Sequence, residues 1–268
     1  MLTLLRTAIV AVAMFSHPAW TKPGRVYIEE MTWTEVRDAI RANRTTILIP
    51  VGGTEQNGPH MALGKHNVRV KALAGRIAAA SGTALVAPVV AYVPEGAVSP
   101  PTGHMRFAGT ISVPDEAFRS VLVGAARSFK QHGFVDVVLI GDSGNYQDLL
   151  KAVAAQLNRD WAGSRARAHY VEAYYRAAQI DYVQALRAKG LNEAQIGRHA
   201  GMADTSLLMA IDGALVRPEQ MAAAASAGAA GGAAGDPRAS NAALGEIGVE
   251  LIVEQTVAAI RSAQNSRR

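Results

Sequence analysis

Cysteine is absent from the 268 residues. No disulfide can form and no thiolate can hold a metal, so a bound ion must rest on histidine, carboxylate or amide groups. The absence says nothing about compartment. Aromatic residues are sparse, at 6% of the chain, and charged residues reach only 18%. No run of lysine and arginine is interleaved with aromatic side chains, the pattern that single-stranded nucleic acid calls for. The formal charge of +5 therefore speaks to association in general, and no nucleic-acid partner is expected. Past the first few residues no apolar run approaches the ~20 residues that cross a bilayer.

What is present begins with a leader-like segment. Arg6 supplies a positive charge, and residues 7–15 (TAIVAVAMF) form an apolar run short of a full span. Residues 1–19 are expected to be a signal peptide ending at Ala19, although His17 departs from the small residues that cleavage favours. An uncleaved anchor or a misplaced start codon is the alternative. The expectation is a periplasmic or secreted protein with no stable membrane association after processing. At 49% apolar content, residues 20–268 suffice for one domain with one sizeable core.

Residues 46–51 (TILIPV) and 135–140 (VDVVLI) are short continuous apolar runs, each followed by glycine, and read as strands buried on both faces. Asn67 is expected to cap a helix that stops at Gly82, and residues 84–93 form a second strand region broken by Pro88. Phe118, Val121, Leu122, Ala125 and Phe129 fall at helical spacing between Asp115 and Gly133. Helices are further expected over 147–159, 174–189 and 243–262, and a strand over 168–172. Strands alternating with amphipathic helices predict an α/β fold, a three-layer α/β/α sandwich on a mostly parallel sheet. Residues 222–234, almost pure alanine, glycine and serine, are expected to be a mobile loop.

Polar clusters follow the expected strands, where sites form at the carboxyl edge of such sheets. One runs from Thr54 to His60 with Lys65-His66-Asn67 close behind. Another is Gly141-Asp142-Ser143-Gly144-Asn145. A third spans His199 to Ser206. Singly each is weak, since an Asp after a strand is commonly a helix cap. Together Glu55, His66 and Asp142 offer two carboxylates and an imidazole, a set that suits a borderline divalent ion and leaves a position open for water.

These segments resemble the creatininase family. PVGGTEQNGPHMALGKHN at 50–67 is similar to its PVGSTEQHGPHLPLGTD, and HMRFAGTIS at 104–112 to its EHxxFPGTIS. GDSGN at 141–145 falls where the family has NGHGGN, HAGMADTS at 199–206 where it has HAGExETS, and GDPRAS at 235–240 where it has GDPxxAS. Five segments in one order make the match specific. The resemblance implies metal-dependent hydrolysis of a C–N amide bond, linear or cyclic, in a small molecule, by a homo-oligomer that typically carries two ions. The departures alter the ligand set. Glu55 is kept, Asn57 replaces an imidazole, His66 stands for an Asp, and Asp142 stands for a His.

Because an Asp and a His have traded places, one metal is expected at Glu55, His66 and Asp142, with the second ion lost. Zn fits a three-ligand N/O site best, with Mn and Fe as other fits. His199 takes the position associated with acid–base catalysis, and Asp204, a shortened Glu, would orient it. Asn57, His60, His104 and Asn145 are expected to contact substrate or support the ligands. Two other readings stay open. One is a small-ligand binding protein without catalysis. The other is a serine esterase using Ser143 of the GDS triplet, though no histidine follows residue 204 to complete its usual partner pair.

Overall fold

A computed structural model describes residues 25–265. The expected signal peptide lies outside the described residues. Among the described residues, fourteen α-helices and strands follow in order. They are α1 (Trp33–Arg41), β1 (Thr46–Val51), α2 (Lys65–Ser81), β2 (Ala84–Val86), α3 (Asp115–Gln131), β3 (Asp136–Gly141), α4 (Gln147–Asp160), β4 (Arg167–Tyr170), α5 (Glu172–Arg176), α6 (Tyr182–Ala188), α7 (Glu193–Ile196), α8 (Met202–Asp212), α9 (Met221–Ala227) and α10 (Ala242–Asn265).

The four strands form one parallel sheet in the order β2-β1-β3-β4. β1 and β3 are buried along their whole length, which is why their sequences run apolar without alternation. Neighbouring residues nonetheless face opposite layers. Leu48, Val86, Val138 and Ile140 pack with Val70, Leu73 and Ile77 of α2 and with Ile252 of α10. Ile47, Ile49, Leu85, Val137 and Leu139 pack on the other face with Phe118 and Leu122 of α3 and Leu150 and Val153 of α4. The fold is thus an α/β sandwich with helices on both faces of a parallel sheet. Gly82 closes α2 at φ 75° with its N–H on the Ala78 carbonyl, a backbone position that glycine adopts without a Cβ clash.

Some local expectations shift. The second strand ends at Val86; the Ala87 N–H still reaches the Leu48 carbonyl at 2.8 Å, the ladder lapses at Pro88, and Val90 returns only as an isolated bridge to Val51. α2 opens two residues before Asn67. The Asn67 amide turns to the β1 loop instead, taking the Gly53 N–H at 2.9 Å and reaching Thr54 Oγ1 at 3.1 Å. Residues 222–234, expected as a loop, continue α9 through Ala227 and then make a 3-10 turn over Gly228–Gly231. Alanine's helix propensity outweighs the low complexity of the stretch. α5 and α6 are joined by a π-helical segment, Ala177–Asp181.

Candidate active site

Parallel strands deliver their following loops to one edge of the sheet, and the polar clusters meet there. Glu55 follows β1 and Asp142 follows β3. The Asp142 N–H donates to the Val51 carbonyl at 3.1 Å, tying the two loops together. Tyr146, wholly buried, accepts the N–H groups of Asp142 and Ser143 and donates to the Gly52 carbonyl at 2.5 Å. The first turn of α2 projects Lys65, His66 and Arg69 between these loops. These groups share one cleft with His104, Asn145, His199 and Asp204.

Glu55, His66 and Asp142 do come together. The His66 ring lies between the two carboxylates, Nε2 at 2.8 Å from Glu55 Oε1 and Nδ1 at 2.6 Å from Asp142 Oδ2. A carboxylate offers only lone pairs, so both contacts are satisfied when each ring nitrogen donates. No lone pair of His66 is then left for an ion. Asp142 is engaged on both oxygens: Arg69 Nε donates at 2.8 and 3.1 Å, and Tyr174 Oη at 2.6 Å. Arg69 also donates from Nη1 to Asp204 Oδ1 at 2.9 Å. Asp204 Oδ2 takes Lys65 Nζ at 3.3 Å and the Ala200 N–H at 3.0 Å. Burial works against charge on both aspartates, but Arg69 beside Asp142, and Lys65 and Arg69 beside Asp204, hold both carboxyls below the usual range. The same contest leaves Glu55 ionised, with His66 and then Lys65 outweighing burial.

A second constellation lies on the other side of Glu55. Ligand atoms of Glu55, His104 and His199 all fall within 4.8 Å of one another. His104 Nε2 is 3.4 Å from Glu55 Oε2, and His199 Nδ1 is 3.8 Å from Glu55 Oε1. Gln56 holds both rings: its Nε2 is 3.0 Å from His104 Nδ1, and its backbone carbonyl accepts from His199 Nε2 at 3.1 Å. Burial foremost pulls His199 down to about 4, with Lys65 adding to it. At neutral pH the ring is uncharged, the form that binds metals. Glu55 Oε2 and Glu95 Oε1 are both buried without an N–H donor. Burial, then the charge and hydrogen bond of Glu55, pushes Glu95 up to about 9, so Glu95 keeps its proton at pH 7.

The remaining expected residues are spread. His60 is buried and its Nε2 pairs with Thr205 Oγ1 at 2.9 Å. Asn57 turns its Nδ2 to the Glu55 carbonyl at 2.9 Å and leaves its Oδ1 buried without a partner. Asn145 donates to Glu95 Oε2 at 2.5 Å. Asp204 is taken up by Lys65, Arg69 and Ala200, and none of its described hydrogen bonds reaches His199. The described hydrogen bonds of Ser143 run to Tyr146 and Gln147, none to a histidine. The sequence reading missed Arg69, Glu95, Tyr174 and Gln56 as parts of the site. For Arg69 a signal existed, because it lies four residues after Lys65 on the stripe of α2 that continues as Leu73 and Ile77.

The creatininase family, described as creatinine amidohydrolase, matches residues 29–260. The chain is 31% identical over 124 residues to the 3-dehydro-scyllo-inosose hydrolase of Thermotoga maritima, covering 46% of this chain and 37% of that protein. It is 37% identical over 113 residues to the mycofactocin precursor peptide peptidase of Mycolicibacterium smegmatis, covering 40% and 43%. The chain therefore spans well under half the length of these two curated relatives. The creatinine amidohydrolase of Pseudomonas putida is 27% identical over 191 residues, 69% of this chain and 72% of that one. Among solved structures, a creatinine amidohydrolase superposes with a TM-score of 0.71 at 23% identity, covering 90% of this chain and 98% of that one. A creatininase in its Mn form gives the same TM-score and identity, covering 89% and 98%.

Proposed function

This chain belongs to the creatininase family, and on that premise we propose that it is a metal-dependent hydrolase of a C–N amide bond in a small molecule. The observation that carries the reading is the trio Glu55, His104 and His199, one carboxylate and two imidazoles with their ligand atoms within 4.8 Å. Glu55 is ionised and buried, and its oxygens lie 3.4 Å from the His104 ring and 3.8 Å from the His199 ring. One carboxylate and two imidazoles suit Zn first, with Mn and Fe as alternatives.

A divalent ion bound there supplies Lewis acidity, which activates water and polarises an amide carbonyl. The chain's own residues hold and shape that place. The Gln56 carbonyl accepts from His199 Nε2, the role that partners of metal-binding histidines commonly serve, and its side-chain amide donates to His104 Nδ1. The Glu55–His66–Asp142 row keeps Glu55 ionised and aimed. His199, expected from sequence as a proton donor, serves in this reading to hold the ion. Asp204 anchors Lys65 and Arg69. The cleft encloses about 160 Å³, below the ~300–1,000 Å³ of drug-sized pockets, so a small amide fits it better than a folded polypeptide.

The test is elemental analysis of the purified protein with a panel of small amides, including creatinine, a formamide and dipeptides, with and without chelator. The expected result is one Zn, Mn or Fe per chain and hydrolysis that the chelator abolishes and the metal restores. Protein that takes up no divalent ion and leaves every amide intact would make the fold a binding module and sink the reading.

A further inference from the structure

Lys65 and Arg69 are interior residues, 0% and 1% exposed. Their spacing of four puts them on the stripe of α2 that continues as Leu73 and Ile77, both 0% exposed. Two fixed cations thus occupy positions that helical periodicity would give to apolar side chains. Lys65 is moreover the first residue of α2, and no acidic residue sits in that first turn. The N-terminal end of a helix carries partial positive charge, so an ammonium there is opposed by the dipole as well as by desolvation.

What offsets this is a pair of carboxylates. Lys65 Nζ lies 3.3 Å from Asp204 Oδ2 and 4.0 Å from Glu55 Oε1. Across the network, three ionised carboxylates (Glu55, Asp142, Asp204) meet Lys65, Arg69 and the doubly donating His66 ring. An ammonium has three N–H donors, and only the contact to Asp204 is a described hydrogen bond. The group lines the cleft beside His104 and His199.

We propose that Lys65 is a built-in cation that lowers the affinity of the centre for its ion: it lies 4.0 Å from Glu55 Oε1 and weakens the hold of Glu55 on that ion by charge repulsion. The proposal rests on the reading that Glu55 faces an ion, and it adds the residue that sets how tightly the ion is held. An ammonium this close to a ligand oxygen repels an incoming divalent charge strongly enough, at protein-like dielectric, to change affinity by at least roughly tenfold.

The experiment titrates metal-free full-length protein and its Lys65→Met variant with Zn²⁺ by calorimetry, with circular dichroism to confirm folding. Lys65→Met should bind Zn²⁺ at least ~10-fold more tightly than the wild type, and any smaller gain would overturn the proposal. Should Lys65→Met fail to fold, Lys65→Gln makes the same comparison with the same threshold. A wild type that binds no ion would defeat the hydrolase reading instead. In that case a variant that gains an ion supports the proposal, and one that also binds none overturns it.

Discussion

Asp142→Asn separates a metal ligand from a structural counter-ion. In the folded protein Asp142 is buried and receives Arg69 on both oxygens, with His66 and Tyr174 completing its contacts. Asparagine keeps the shape and can still accept from Arg69 and Tyr174, but the negative charge goes. Arg69 is then left in the interior with Asp204 as its remaining ion-pair partner. Removing one partner of a buried pair costs about 3–5 kcal/mol, and retained hydrogen bonding puts this change near the lower end. At ~2–3 °C per kcal/mol for a chain of this size, the melting temperature should fall by about 6–10 °C. Thermal and urea unfolding in the presence of chelator measures it without interference from bound metal. Asp160→Asn is the control, because its pair with Arg127 is exposed, at 58% and 35% side-chain accessibility, and should be worth less than ~1 kcal/mol. Zinc affinity of Asp142→Asn should stay within about tenfold of wild type, since its carboxylate is outside the Glu55–His104–His199 trio. Equal melting shifts for the two variants would refute the argument. So would complete loss of zinc binding by Asp142→Asn with no loss of stability, which would make Asp142 a ligand after all.

Four further outcomes are expected. His104→Ala and His199→Ala should each weaken zinc binding by more than ~100-fold, and a competition assay with a chromophoric chelator that shows both unchanged would remove the trio from consideration. Gly232→Ala should weaken zinc binding by ~10–100-fold without altering a ligand. A Cβ there would meet Gln56 Oε1 at 1.9 Å, displacing the side chain that holds the His104 ring; equal affinity, measured by calorimetry, would clear that side chain of the role. Glu95, pushed up to about 9 by burial and Glu55, holds more protons folded than unfolded between pH 4.5 and 9. Its contribution therefore lowers stability as pH rises through that window, and Glu95→Gln should flatten the pH 7–9 limb in urea titrations. His60, brought down to about 4 chiefly by burial, works in the opposite sense: the unfolded chain takes its proton near pH 6.5, so stability should fall as pH drops from about 6.5 to 4. His60→Asn should reduce that acid-side slope, and an unchanged slope would assign it elsewhere.

The sheet was legible because β1 and β3 are apolar without interruption and end in polar loops. Those features also located Glu55 and Asp142 at one edge. The meeting of Glu55, His66 and Asp142 was foreseeable from the traded Asp and His. What the three do there was not. A side chain's protonation and the fate of its lone pairs depend on neighbours brought in by tertiary packing, and Arg69 and Tyr174 supply those to Asp142. Lysine and arginine read as surface residues by composition, so two buried cations on α2 escaped notice. The spacing of Lys65, Arg69, Leu73 and Ile77 could have exposed them, since residues four apart share one stripe of the helix and Leu73 and Ile77 mark that stripe as the buried one. Glu95 carried no local signal, because only the proximity of Glu55 makes its proton persistent. The alanine-rich stretch misled for a simpler reason: low complexity was given more weight than the helix preference of alanine.

The pairing of three carboxylates with Lys65, Arg69 and His66 also bears on how the protein is made. A centre whose charges must be neutralised by metal cannot close until metal arrives, and its maturation waits on supply. Here the counter-charges are encoded in the polypeptide itself. Assembly of the interior can finish first, and on the proposed reading loading follows as a separate, reversible event, so scarcity of metal would yield an idle but intact molecule.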